Sequence, residues 1–149
     1  MIEIIQECDS SFNKPDSKCV REIIELVLKD KGINDAQLSL VFGSDSLLTE
    51  LKKKYFGVDQ LTDVIAFNLS DEMDDAIEAE IYISLKRASI NAKKYSQTYN
   101  HEVTRLIIHA LLHILGLNDK TLEEKKEMRK TEDQYLKIVN KTLFSKINE

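Results

Sequence analysis

The segment RLIIHALLHILG, Arg105 to Gly116, restricts the fold more than any other part of the chain. Val103, Leu106, Ile107, Ala110, Leu111 and Ile114 form one apolar stripe at helical spacing, and Ile108, Leu112 and Leu115 make the remaining faces apolar too. A helix that is apolar nearly all round has to lie inside the protein, so the other elements are expected to pack around it. Two imidazoles, His109 and His113, sit within it. Four residues on a helix is a rotation of about 40°, so both rings leave the same face one turn apart. A buried polar group without a partner costs roughly 1–3 kcal/mol, so these rings need partners.

That spacing lets two nitrogens bind one metal ion. Gly116 permits a left-handed turn that sends the chain back, and Asp119 follows it. The pattern H-x-x-x-H-x-x-G-x-x-D offers two imidazoles and a carboxylate with a fourth position open, a catalytic rather than a structural arrangement. The candidate ligands are therefore His109, His113 and Asp119, at the C-terminal end of a buried central helix. The plainer reading is a His pair satisfied by backbone or acids. The third histidine, His101, lies roughly 12 Å of helix rise before His109 and cannot share that ion. A metal at such a site lowers the pKa of bound water and polarises a substrate oxygen, which points to hydrolysis. The metalloprotease pattern needs a glutamate after the first His; here Ala110 stands there. A zinc peptidase is thus a remote alternative, and a phosphodiester is the better substrate.

The remaining sequence describes one domain, 1–149. Of the 149 residues 42% are hydrophobic and 32% charged, enough for one sizeable core. With one proline, four glycines and no low-complexity stretch, no linker is expected. No apolar run approaches the roughly 20 residues that cross a bilayer. MIEIIQECDS carries no basic run, so no secretory leader is expected. Cys8 and Cys19 form no CxxC pair, consistent with a reduced, cytoplasmic protein. The formal net charge of −5 weighs mildly against a protein that coats nucleic acid. Six of the acids fall between Asp71 and Glu80, however, and the rest of the chain holds 20 acids against 21 bases.

Strands are predicted at Ile2–Glu7, Gln37–Phe42, Asp63–Leu69 and Ala79–Ser84, the third of them central because it is almost continuously apolar. Helices are predicted after Pro15 (capped by Asp16 or Ser17), from Ser44-Asp45 to Tyr55, from Leu85 to Tyr99, from an Asn100 cap to Leu115, and from about Leu122. The acidic stretch is read as a loop. Met128 and Tyr135 are read as core. The class is α+β: a mixed four-stranded sheet with about five helices.

HALLHILGLND, His109 to Asp119, resembles the metal motif H-G-x-L-H-L-x-G-Y-D-H of the YbeY endoribonucleases. LTDVIAF (Leu61 to Phe67) is similar to that family's P-T-D-V-L-S-F strand, and EIYIS (Glu80 to Ser84) to its G-D-I-x-I-S strand. The likeness spans most of the chain. It implies a metal-dependent, single-strand-specific endoribonuclease of ribosomal RNA processing, at the 16S 3′ end, and of ribosome maturation. It also implies one zinc or other divalent ion per chain, ribosomal small-subunit proteins or an assembly GTPase as partners, and no membrane. Two positions depart from the family: Asp119 stands where its third ligand is usually His, and Phe56 where it has an Arg thought to act in catalysis. The segment Tyr55 to Gln60 contains no base at all. A ribosome-assembly or ribosome-binding factor with a largely structural ion is the alternative.

Arg105, one turn before His109, has two readings, a phosphate-stabilising catalytic residue or an ion pair with Glu102. Lys86, Arg87, Lys93 and Lys94 share one helix face that could track an RNA backbone or simply be solvated. Lys52, Lys53 and Lys54 have the same two readings. Tyr82, Tyr95 and Tyr99 could stack on bases, though packing is the plainer reading. Asp63 could orient the loop above the site or cap a turn.

Overall fold

The computed structural model describes residues 1–71, 73, 75–139 and 142–144. Glu72 and Asp74 of the acidic stretch lie outside the described residues. The element order is β1 (Ile2–Cys8), α1 (Ser17–Asp30), β2 (Ala36–Gly43), α2 (Asp45–Phe56), β3 (Val64–Asn68), β4 (Ile77–Ser84), α3 (Leu85–Lys94), α4 (Tyr99–Ile114) and α5 (Leu122–Ile138). The strands form one mixed sheet in the order β1-β2-β4-β3. β1, β2 and β4 run parallel, and β3 is antiparallel to β4. This is the α+β domain of five helices and four strands expected from the sequence.

Alternation along the strands divides the sheet into two faces. Leu38, Leu40 and Phe42 of β2 and Ala79, Ile81 and Ile83 of β4 point inward and are buried. There they join Val20, Ile24 and Val27 of α1 and Val103, Leu106 and Ile107 of α4 in a single core. The outer face carries Glu3 and Glu7 from β1 and Glu78 and Glu80 from β4. Among the described residues no helix is long and apolar enough to cross a membrane.

Several sequence expectations need correction. β4 begins at Ile77, so the acidic stretch is not a loop throughout: Glu78 and Glu80 lie on a strand. β3 is an edge strand, not a central one. It reads as apolar because both its faces are covered. Phe67 meets Tyr55 and Phe56 of α2, at ring separations of 5.2 and 5.9 Å. On the other side β3 packs against α4. The third helix stops at Lys94 rather than Tyr99, and α4 is capped by Thr98 rather than Asn100. Ser96 takes a left-handed φ of 55°, and the Gln97 amide donates to Ala92 O at 2.8 Å, which closes α3. Thr98 then accepts from the His101 amide at 3.0 Å. Asn100 does other work, its Oδ1 accepting from the Leu143 amide at 2.6 Å.

The last helix starts at a reciprocal cap: Thr121 accepts from the Glu124 amide, and the Glu124 carboxylate accepts from the Thr121 amide. Met128 and Tyr135 are buried in the core, as expected. The Tyr135 hydroxyl donates to Asp30 Oδ2 at 2.5 Å, tying α5 to the end of α1. Burial, then the bond to Asp30 and its charge, push the Tyr135 phenol up to about 12. Burial likewise pushes Tyr99 to about 12.

A phenol whose folded pKa lies above its unfolded value of about 10 adds stability that is complete below that value and is lost as pH rises toward the folded one. We therefore expect Tyr135→Phe to be less stable than wild type at pH 7. The gap should narrow between pH 10 and 12, the Tyr99 contribution being lost over the same range equally in both proteins; urea unfolding across that range measures it.

Candidate metal centre

α4 crosses the core and delivers His109 and His113 at its C-terminal turns. The helix ends in a double-bonded turn: the Gly116 amide donates to His113 O at 3.1 Å and the Leu117 amide to Leu112 O at 3.0 Å, with Gly116 at a φ of 104°. This reversal brings Asp119 back over the helix, its Oδ2 3.5 Å from His109 Nε2. Asn68, at the end of β3, donates to Ile114 O at 3.2 Å and so fastens the edge strand to the same helix end.

The other nitrogen of His109 is held from below. Its Nδ1 lies 2.6 Å from Oε2 of Glu132, a fully buried residue of α5. Glu132 Oε1 accepts from Arg105 at 3.1 Å, and Arg105 is also clasped by the buried Glu102 through Nε at 2.9 Å and a terminal nitrogen at 2.6 Å. Asn91 donates to Glu102 at 3.3 Å and to Asp63 Oδ2 at 3.1 Å. A continuous polar chain thus runs from Asp63 at the start of β3 to His109, through the interior.

Charge balance makes this chain tolerable inside the protein. Burial alone would raise the Glu132 carboxyl; the bond and charge of His109, with those of Arg105, outweigh it and hold the carboxyl below its usual value. Burial likewise disfavours the Arg105 charge, but Glu102 and then Glu132 more than compensate and raise its pKa. Both carboxylates share one guanidinium, whose fork geometry suits two acceptors.

A cavity of about 270 Å³ lies beside β3. α2 contributes Lys52 and Phe56 to its wall, the loop and strand that follow contribute Thr62 to Ala66, and α4 contributes His109, Ala110 and His113, with Asp119 closing one side. All three predicted ligands therefore border one space. They do not yet form a closed set: among the described residues no three His, Cys, Asp or Glu side chains converge enough to encircle an ion. His109 and Asp119 are paired, and His113 is exposed on the last turn.

Of the two readings of Arg105, the ion pair is the one present, and Arg105 is absent from the cavity wall. Lys86, Lys93 and Lys94 are exposed on α3, and Arg87 Nε lies 3.2 Å from Asp45. None of the four borders the cavity. His101 is turned elsewhere, its Nδ1 3.2 Å from Gln97. Asp63 does border the cavity and is anchored by Asn91. Glu102 is the partner the ion-pair reading of Arg105 named, whereas Glu132 was not singled out from the sequence. A signal existed for Glu132: it shares a face with Met128 and Tyr135, so an acid stands on an otherwise apolar stripe.

Residues 3–140 match the family Endoribonuclease YbeY. An endoribonuclease YbeY of Amoebophilus asiaticus is 39% identical over 135 residues, covering 89% of this chain and 91% of that protein. One from Chloroherpeton thalassium is 34% identical over 122 residues, covering 82% and 84%. A Thermotoga maritima protein of known solution structure is 28% identical and superposes with a TM-score of 0.62, over 93% of this chain and 89% of that one. The chain belongs to the YbeY endoribonuclease family.

Removing a partner from a buried charge network costs roughly 3–5 kcal/mol. Glu132→Ala should lose that order of stability in urea unfolding. In nitrogen-15 spectra of wild type, His109 should carry a proton on Nδ1; Glu132→Leu should release that preference while leaving the His101 signals in place.

Proposed function

We propose that this protein is a metal-dependent endoribonuclease that cuts single-stranded RNA in ribosomal RNA processing, near the 16S 3′ end, with His109, His113 and Asp119 as the ligands of one zinc or similar divalent ion. The observation that carries the reading is the pairing of His109 Nε2 with Asp119 at the cavity while its Nδ1 is engaged by buried Glu132. A carboxylate on the far nitrogen is the usual way a protein orients a metal-binding imidazole. The donor set suits zinc, with His113 as the member that would complete it. Family membership supports the RNA substrate and the ribosomal setting.

A divalent ion supplies Lewis acidity and a lowered water pKa when bound. The residues of the chain do the rest. Glu132 fixes the His109 ring and the tautomer that leaves Nε2 free. Arg105 is a positioning residue, holding Glu132 and Glu102 in place. The α4 turn at Gly116 sets the distance of Asp119. Ala110 leaves the first-His neighbour without a carboxylate, which disfavours peptide hydrolysis.

The ribosome-assembly reading has one observation on its side. The basic face of α3 lies away from the cavity, so those residues could hold RNA or ribosome without serving cleavage. One experiment separates the two. Freshly purified wild type should contain about one divalent ion per chain and cleave single-stranded RNA. His113→Ala should lose most of the ion and at least roughly 100-fold of the rate, as oriented catalytic groups contribute. A chelator should abolish cleavage, and zinc should restore it in wild type alone. A metal-loaded protein with no cleavage would favour the assembly factor, and cleavage indifferent to His113→Ala would overturn the ligand assignment.

A further inference from the structure

The cavity wall holds one lysine and no arginine. Among the described residues bordering it, Lys52 is the only such cation, and it shares the wall with the acids Asp63 and Asp119. A phosphodiester entering there needs a positive group, because Arg105 is occupied by two buried carboxylates. Lys52 lies one turn before Phe56 on α2, so the two share a face. The Lys52 ammonium stands 4.9 Å from the centre of the Phe56 ring. That contact is exposed, and such cation–π pairs are weak enough to be exchanged for a phosphate.

Phe56 is unusual for its place. Its ring is 50% exposed although it belongs to an aromatic cluster. Phe67 lies parallel to it, 13° between planes and 5.9 Å between centres. Tyr55 and Tyr82 in turn brace Phe67 edge-on, at 5.2 and 6.0 Å. The cluster holds one ring steady at the mouth of the site with a cation over it.

We propose that Lys52 and Phe56 grip the substrate as a pair: Phe56 takes the face of an unpaired base beside the scissile bond, and Lys52 moves from the ring to a neighbouring phosphate. The inference rests on the endoribonuclease reading. It supplies a physical cause for single-strand preference. A base inside a duplex already has both faces stacked, whereas an unpaired base has a face to offer.

The test uses full-length protein and a fluorescent single-stranded RNA methylated at its 2′-hydroxyls for binding, with unmodified RNA for cleavage. Phe56→Leu should weaken binding roughly 5- to 150-fold, the range that loss of one base–aromatic stack gives. It should raise KM more than it lowers kcat and leave the salt dependence unchanged; Phe56→Trp should restore affinity. Lys52→Gln should instead flatten the slope of log affinity against log salt by about 0.7, one phosphate contact on a single strand. Lys53→Ala, on an exposed neighbour in the same helix, serves as the control. Duplex RNA of equal length should bind weakly and be indifferent to Phe56→Leu. If wild type binds and cleaves RNA while both variants behave as Lys53→Ala does, the gripping pair is wrong and Phe56 only shields Phe67. If wild type neither binds nor cleaves RNA, the endoribonuclease reading fails, and the pair fails with it.

Discussion

The Glu132 carboxylate is anchored on α5, buried among apolar side chains, and shared between a histidine and an arginine of α4. An isolated charge in that position would be very costly, and the structure offsets the cost with a second carboxylate, Glu102, and the guanidinium between them. The consequences reach beyond the three charges. α5 is locked to α4 in one rotational setting, because only one places Glu132 under His109. The direction of the His109 ring follows from that setting, and with it the side of α4 on which the cavity can function. Asp63 is drawn into the same chain through Asn91, so the start of β3 is held relative to α4 from the inside, while Asn68 holds its other end from the outside.

Most of this architecture was legible in the residues. The alternation of Leu38, Leu40 and Phe42, the caps at Asp16 and Ser44, and the all-round apolarity of α4 each specify local structure that tertiary packing then agrees with. The place of β3 was not legible. A continuous apolar run identifies a strand covered on both faces but not its place in the sheet, and here α2 and α4 cover the two faces of a strand that lies at the edge. The break between α3 and α4 was expected, but about five residues too late, because Ser96 adopts a left-handed backbone without glycine to announce it.

At the site, the helical spacing of His109 and His113 and the glycine turn before Asp119 could be read directly, since each is a local geometric fact. The Arg105–Glu102 pair, three residues apart on one helix, could be read as well, but Glu132 could not be assigned partners from sequence, because it meets His109 across 23 positions and nothing in either segment names the other. The two readings of Arg105 differed only in burial, which spacing does not determine. Once α5 covers that part of α4, the guanidinium has two carboxylates within reach and no path to the cavity.

The outer face of the sheet presents Glu3, Glu7, Glu78 and Glu80. To a polyanion this side is a repulsive plate, felt over roughly a Debye length of 8–10 Å. RNA drifting past would be deflected from it toward basic surface elsewhere on the molecule, the exposed Lys86, Lys93 and Lys94 of α3 among it. The uneven spread of charge thus acts as a compass: it closes one bearing to a nucleic acid and leaves the basic ones open.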